Sequence, residues 1–247
     1  LSAFRLAIEQ GADYVEFDVQ ESLDGEVVVV HDSDLMKLGG TAKKVWDSTA
    51  AELRAVDIGS HLNPRYAGER VPTLAETLAV CKGRARAAIE LKSYGHDQKL
   101  EEKVAALVEA AGMEKDCFIM SLDEVMVAKM KRLRPDWRVG RLLAKSLGDY
   151  TALQADFLAV EMNMANARFV RRNHSGGRDV YTWTVNDPAS MLRMMSCGVD
   201  GLITDRPELG RQVVNRRAEL SDAQRLLVAL LVRWGTRIEV ISEEIRP

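Results

Sequence analysis

The chain has 247 residues, 47% apolar and 29% charged, with a formal net charge of -3. That balance gives no electrostatic footprint for nucleic acid, and no apolar run approaches the roughly 20 residues needed to cross a bilayer. Cys81, Cys117 and Cys197 are an odd number without a CxxC spacing, so they read as small buried hydrophobes rather than as disulfide or zinc ligands.

In chain order, "LSAFRLAIEQG" (1–11) carries apolar residues at Leu1, Phe4, Ala7 and Ile8, a helical period closed by Gly11. The sequence thus opens inside a helix, without an initiator Met, and a strand is expected upstream of it. "YVEFDV" (14–19) reads as a strand, and "VVVV" (27–30) follows too soon for a crossover helix. Residues 33–73 are an excursion rich in turn residues, with one short helix expected over 48–54. Thr73 and Glu76 then form a capping box for the next helix. Further strands are predicted at 87–91, 117–121, 138–143, 156–160, 179–185 and 200–204. Between them lie helical stripes such as Leu100, Val104, Leu107, Val108 and Ala111, or Leu122, Met126, Met130 and Leu133. Seven strands alternating with helices at roughly 20 to 30 residues predict α/β architecture, a (β/α)8 TIM barrel with its first strand missing. An open doubly wound sheet is the alternative, but no glycine-rich dinucleotide turn is present. The barrel is assigned to 1–217, including the 33–73 insertion, and a helical tail to 218–247. In that tail an apolar run, Leu226 to Val232, is expected either to pack on the barrel or a partner, or to lie on a membrane surface. Location is left open between cytoplasm and membrane association.

The stretch "VEFDVQESLDGEVVVVHD" (15–32) brings titratable groups into apolar strands. Asp24-Gly25 is a favoured pair for a two-residue hairpin turn, which would set Val19 opposite Val30 and Asp18 opposite His31. Glu16 shares the face of Asp18. "IELK" (89–92) puts Glu90 and Lys92 on one face at the end of the next strand. Buried carboxylates are costly unless paired or bound to a cation, so Glu16, Asp18 and Glu90 read as an oxygen nest for Ca2+ or Mg2+. Lys92 would meet an anion, and His31 would carry a proton. The competing reading is a structural ion-pair network around Glu90 and Lys92.

"ADYVEFDVQESLDGEVVVVHD", "IELK", "YTWTVND" (181–187) and "GVDGLITDRP" (198–207) together resemble the glycerophosphodiester phosphodiesterase family, from Leu1 to about Leu209. The resemblance implies a (β/α)8 barrel that hydrolyses small glycerophosphodiesters to glycerol 3-phosphate and an alcohol, with a divalent cation. It implies Glu16, Asp18 and Glu90 as metal ligands, His31 as acid or base, Lys92 on phosphate and Trp183 lining the substrate. The family's His-Arg-Gly motif on the first strand is not in this sequence, so this chain is expected to be impaired by itself. The 33–73 segment is similar to the family's inserted subdomain, where His61 and Arg65 read as surface residues rather than substrate contacts. His96 and His174 carry no assignment. Two other functions stay open: release of head groups from lysophospholipids, and a non-catalytic barrel that binds phosphodiesters or lipids.

Overall fold

The computed structural model describes residues 1–96, 98–145, 154–221 and 223–225. Two compact units divide the chain, residues 1–141 and 142–247. Among the described residues no helix is long and apolar enough to cross a membrane. The apolar run Leu226 to Val232 lies outside the described residues.

The first unit begins with α1 (Ser2–Glu9), which Gly11 ends at φ +84° as expected of a glycine past a helix C-terminus. Then come β1 (Tyr14–Glu21) and β2 (Val27–Val29), an antiparallel hairpin. The excursion holds β3 (Asp34–Leu35), α2 (Met36–Gly39), β4 (Thr41–Lys44) and α3 (Ala50–Arg54). After it run α4 (Leu74–Cys81), β5 (Arg86–Leu91), α5 (Leu100–Ala111), β6 (Cys117–Ser121), α6 (Glu124–Leu133) and β7 (Arg138–Leu143). Strands β1, β5, β6 and β7 lie side by side in that order and parallel, each joined to the next through a helix. Parallel strands are covered on both faces, which is why β5 and β6 read as near-continuous apolar runs.

The "VVVV" run has a separate cause. Val28 and Val30 join Leu35, Val45, Leu53 and Val71 in a buried cluster that is the core of the excursion, while Val27 and Val29 are buried as well. The outer edge of β2 is closed by the return segment, where Val29 N–H donates to the Pro72 carbonyl at 2.8 Å. This excursion differs from the expectation of turns around one helix. Its chain crosses itself as a two-stranded sheet, β3 with β4, and its helix starts at Ala50 rather than residue 48. Thr49 and Glu52 form a full capping box there, which sets the start. The capping box of Thr73 and Glu76 is formed as predicted, and Arg54 reaches Glu76 at 2.5 Å to tie α3 to α4. Of the helical stripes, Met126 and Met130 are buried, but Leu122 is exposed. It precedes the N-cap Asp123 and never enters α6.

In the second unit β8 (Phe157–Glu161), α7 (Ala167–Ser175), β9 (Asp179–Trp183), α8 (Pro188–Cys197), β10 (Gly201–Leu202) and α9 (Pro207–Glu219) repeat the strand–helix alternation, with parallel pairing of β8 with β9 and β9 with β10. Leu158, Val160, Val180, Met191, Leu192 and Val213 form its core. Cys81 and Cys117 are buried, Cys197 is half-buried, and all three are free thiols. Burial pushes the Cys81 thiol up to about 11 and that of Cys117 up to about 12, so both are inert packing groups.

Candidate active site

The parallel register of β1 and β5 sets Asp18 beside Glu90 and Glu16 beside Ala88. Residues in register share a face, so the small Ala88 leaves the space next to Glu16 open to the two acids above it. One carboxylate oxygen from each of Glu16, Asp18 and Glu90 lies within 4.8 Å of the other two. Lys92 leaves β5 immediately after this pair, its N–H still bonded to the Val19 carbonyl. Its ammonium stands 2.7 Å from Asp18 Oδ1 and 3.8 Å from Glu90 Oε1. Those two oxygens are fully buried, and neither receives a directed hydrogen bond. For Asp18 Oδ1 the lysine is close enough for an ion pair but out of line for a hydrogen bond.

That arrangement is electrostatically tense. Burial, and then the charge of Asp18, push the Glu90 carboxyl up to about 8, against the pull of Lys92. Burial is the largest single effect on Lys92 and works against its charged form, but the charge and contact of Asp18 together with the charges of Glu90 and Tyr94 outweigh it, and the ammonium is held more firmly than usual. Hard oxygen donors that are buried, converging and short of hydrogen-bond partners fit a divalent cation, which would replace the missing donors. The three acids and the lysine expected to come together are brought together.

The hairpin register differs from the expected one. Val19 faces Val29, Gln20 faces Val28 and Glu21 faces Val27. The connection therefore has three residues, Leu23, Asp24 and Gly25, closed by mutual bonds between Ser22 and Glu26. Gly25 at φ +80° takes the left-handed position that a three-residue loop requires. Asp18 accordingly meets Val30, whose N–H donates to the Asp18 main-chain carbonyl at 3.0 Å, and not His31. The chain has left the ladder at His31. The imidazole is exposed, with 69% of its side chain accessible, and its Nδ1 lies 2.7 Å from Asp32 Oδ1.

Gln20 escaped the sequence reading altogether, although it lies two residues past Asp18 on the same face. Only 2% exposed, its side-chain amide donates to the carbonyls of Val30 at 2.8 Å, Asp32 at 2.9 Å and, more weakly, His31 at 3.3 Å. Tyr94 adds a second tie, its hydroxyl donating to the His31 carbonyl at 3.0 Å. A buried glutamine inside an apolar strand was the available signal. Such a group must find partners, and here its partners are the backbone that carries the histidine.

Comparison with known proteins gives the family. The model of the glycerophosphoryl diester phosphodiesterase family matches residues 1–209. This chain belongs to that family. A glycerophosphodiester phosphodiesterase of Caldanaerobacter subterraneus subsp. tengcongensis is 31% identical over 84% of this chain and 88% of its own length. One of Bacillus subtilis is 30% identical over 85% and 80%. The crystal structure of the Agrobacterium tumefaciens glycerophosphodiester phosphodiesterase, 29% identical, superposes with a TM-score of 0.73 over 84% of this chain and 90% of that one. The fold is thus the α/β barrel type of these phosphodiesterases, and the chain is a phosphoric diester hydrolase of the glycerophosphodiester class.

The remaining candidates are less central. Trp183 ends β9 in the second unit, half-buried, its indole N–H donating to the Ala159 carbonyl at 3.2 Å. Arg65 stacks on Tyr66 and bonds its hydroxyl, and His61 is exposed. His174 pairs with Asp200 at 2.8 Å, on the second unit.

Proposed function

We propose that this phosphodiesterase cleaves glycerophosphodiesters to glycerol 3-phosphate and an alcohol, with a divalent cation, Ca2+ or Mg2+, held by Glu16, Asp18 and Glu90. The observation that carries this reading is the pair of buried, convergent oxygens on Asp18 and Glu90 that lack directed donors beside a lysine. When bound, such a cation supplies Lewis-acid polarisation of a phosphoryl oxygen. The Lys92 ammonium, already oriented by Asp18, meets a second phosphoryl oxygen and offsets the charge that grows on it in the transition state. His31 moves the proton. With Nδ1 donating to Asp32, Nε2 is left to exchange a proton with the reacting oxygens.

The test is chelation combined with a thermal readout. In a version that carries the family's first-strand His-Arg-Gly motif, activity against glycerophosphodiesters should vanish on exhaustive chelation and return with Ca2+ or Mg2+. The same ions should raise the melting temperature of the wild type and not that of Glu90→Gln, which keeps the shape but removes a charged donor. Full activity after chelation would reject the carboxylate site, as would an undiminished thermal shift in Glu90→Gln.

A further inference from the structure

Immediately past Lys92 the chain makes a tight turn, Ser93 to His96, closed by the His96 N–H donating to the Ser93 carbonyl at 2.8 Å. Both central residues are left-handed, Tyr94 at φ +47° and Gly95 at φ +83°. Glycine takes that conformation without strain, and tyrosine does not. Among the described residues Tyr94 and Lys99 are the two non-glycines held at positive φ. Such strain persists only where the surroundings fix it, and it gathers at functional sites. Here both ends of the turn are fixed. The Lys92 N–H is bonded to the Val19 carbonyl, and the His96 ring stacks on Trp46 of the excursion, centroids 4.2 Å and planes 11° apart. The Tyr94 side chain thrown out by this turn is 47% exposed, so it is not there to fill a core. Its hydroxyl donates to the His31 carbonyl at 3.0 Å.

We infer that Tyr94 is a positioning residue, which holds the acid/base His31 in register with the phosphate-binding Lys92. The inference rests on the proposed cleavage and adds to it a residue that acts through the histidine. The ladder between β1 and β2 ends at Val29, so pairing with β1 no longer places the segment that carries His31. Packing places the imidazole little, since 69% of its side chain is accessible. Its position therefore follows from the side chains that hold the carbonyls of residues 30–32. Gln20 takes all three from β1, but its contact at His31 is the longest, at 3.3 Å. That carbonyl is the one Tyr94 holds. The two ties come from different strands, with Gln20 two residues past Asp18 and Tyr94 two residues past Lys92. Gln20 thus relates the histidine to the carboxylates, and Tyr94 relates it to the lysine. In-line chemistry at phosphorus needs that second relation, because the cation grips one oxygen while the histidine serves another, and a shift of about 1 Å is enough to slow turnover.

The experiment uses Tyr94→Phe, which deletes the hydroxyl and keeps the ring and the left-handed backbone, in two readouts. The first is NMR relaxation of the backbone amides of residues 31–33 in this chain. Their order parameters should be near about 0.85 in the wild type and fall toward about 0.6 in Tyr94→Phe. Unchanged order parameters overturn the positioning role whatever the activity. The second is turnover of a glycerophosphodiester by a version that carries the family's first-strand His-Arg-Gly motif. Tyr94→Phe should lower kcat by about 10-fold while KM stays within about a factor of two. In a His31→Ala background the same substitution should cost nothing further, because the tyrosine acts only through the histidine. An equal loss with and without His31, or a rise in KM with kcat unchanged, overturns the role. Should no version turn over any glycerophosphodiester, the cleavage reading fails, and a fall in the order parameters still supports the Tyr94 tie.

Discussion

Two buried acid sites share strand β1 and behave in opposite ways. At its end, Glu21 is 2% exposed in its side chain, with Lys103 Nζ 2.6 Å from one carboxylate oxygen and the Gln98 N–H 2.5 Å from the other. Three residues earlier, Asp18 and Glu90 are nearly as buried but crowd one another and lack directed donors. Glu21 is a completed structural contact, which locks the hairpin to α5. Asp18 and Glu90 form a contact that the protein leaves incomplete. Burial of an acid says little by itself. What separates structure from chemistry is whether every lone pair already has its donor.

Substitutions can break or sharpen that contrast. The largest effect on turnover is expected at His31. In a version that carries the family's first-strand His-Arg-Gly motif, His31→Ala should lower kcat by about 10²- to 10⁴-fold, the usual worth of a positioned acid or base. A p-nitrophenyl leaving group should recover most of that loss if His31 protonates the alcohol, and none if it activates the nucleophile. Wild-type turnover in the variant would remove His31 from the mechanism. Gln20→Met should come next. It keeps the volume but frees the carbonyls of residues 30–32, and the misplaced imidazole should cost about 10- to 100-fold in kcat. Because Gln20 touches neither acid, cation-induced thermal stabilisation should persist, and its loss would mean that Gln20 supports the carboxylates instead.

The structural site should answer in stability rather than rate. Lys103→Met leaves Glu21 buried without its cation and should cost about 3–5 kcal/mol in denaturant unfolding, with kcat of the folded enzyme within a factor of two or three. A selective loss of activity in that variant would erase the distinction between the two sites. The smallest effect is expected from acid. Glu76 is held down to about 2, first by the Arg54 side-chain contact and then by the Thr73 N–H, against a cost of partial burial. A carboxyl whose pKa falls on folding stabilises above its unfolded value of about 4.5 and loses that contribution as pH drops toward 2. Wild type should therefore lose stability faster than Glu76→Gln below pH 4.5, by no more than a few degrees in melting temperature because the pair is partly exposed. Parallel acid profiles would show that this clamp contributes nothing.

The amino-acid sequence by itself determined the alternation of strands and helices, the capping box at Thr73 and Glu76, and the face shared by Glu16 and Asp18. Each of these follows from a local period or a local hydrogen bond, which a run of a few residues contains in full. Adjacency of Glu90 to Asp18 was also within reach, because parallel neighbours in a barrel present equivalent ends. The position of His31 was not. Asp24-Gly25 suggests a two-residue turn, but Asp24 accepts the N–H of Ala50 at 2.9 Å and the Leu23 N–H is taken by the Ser48 carbonyl. The excursion grips the hairpin from outside, the loop widens to three residues, and every opposed pair moves by one. Gln20 and the Trp46–His96 stack depended equally on tertiary structure, since their partners lie 10 to 12 and 50 residues away in the chain. Local sequence sets which way a side chain points within its own strand. Only the folded chain decides what it meets there.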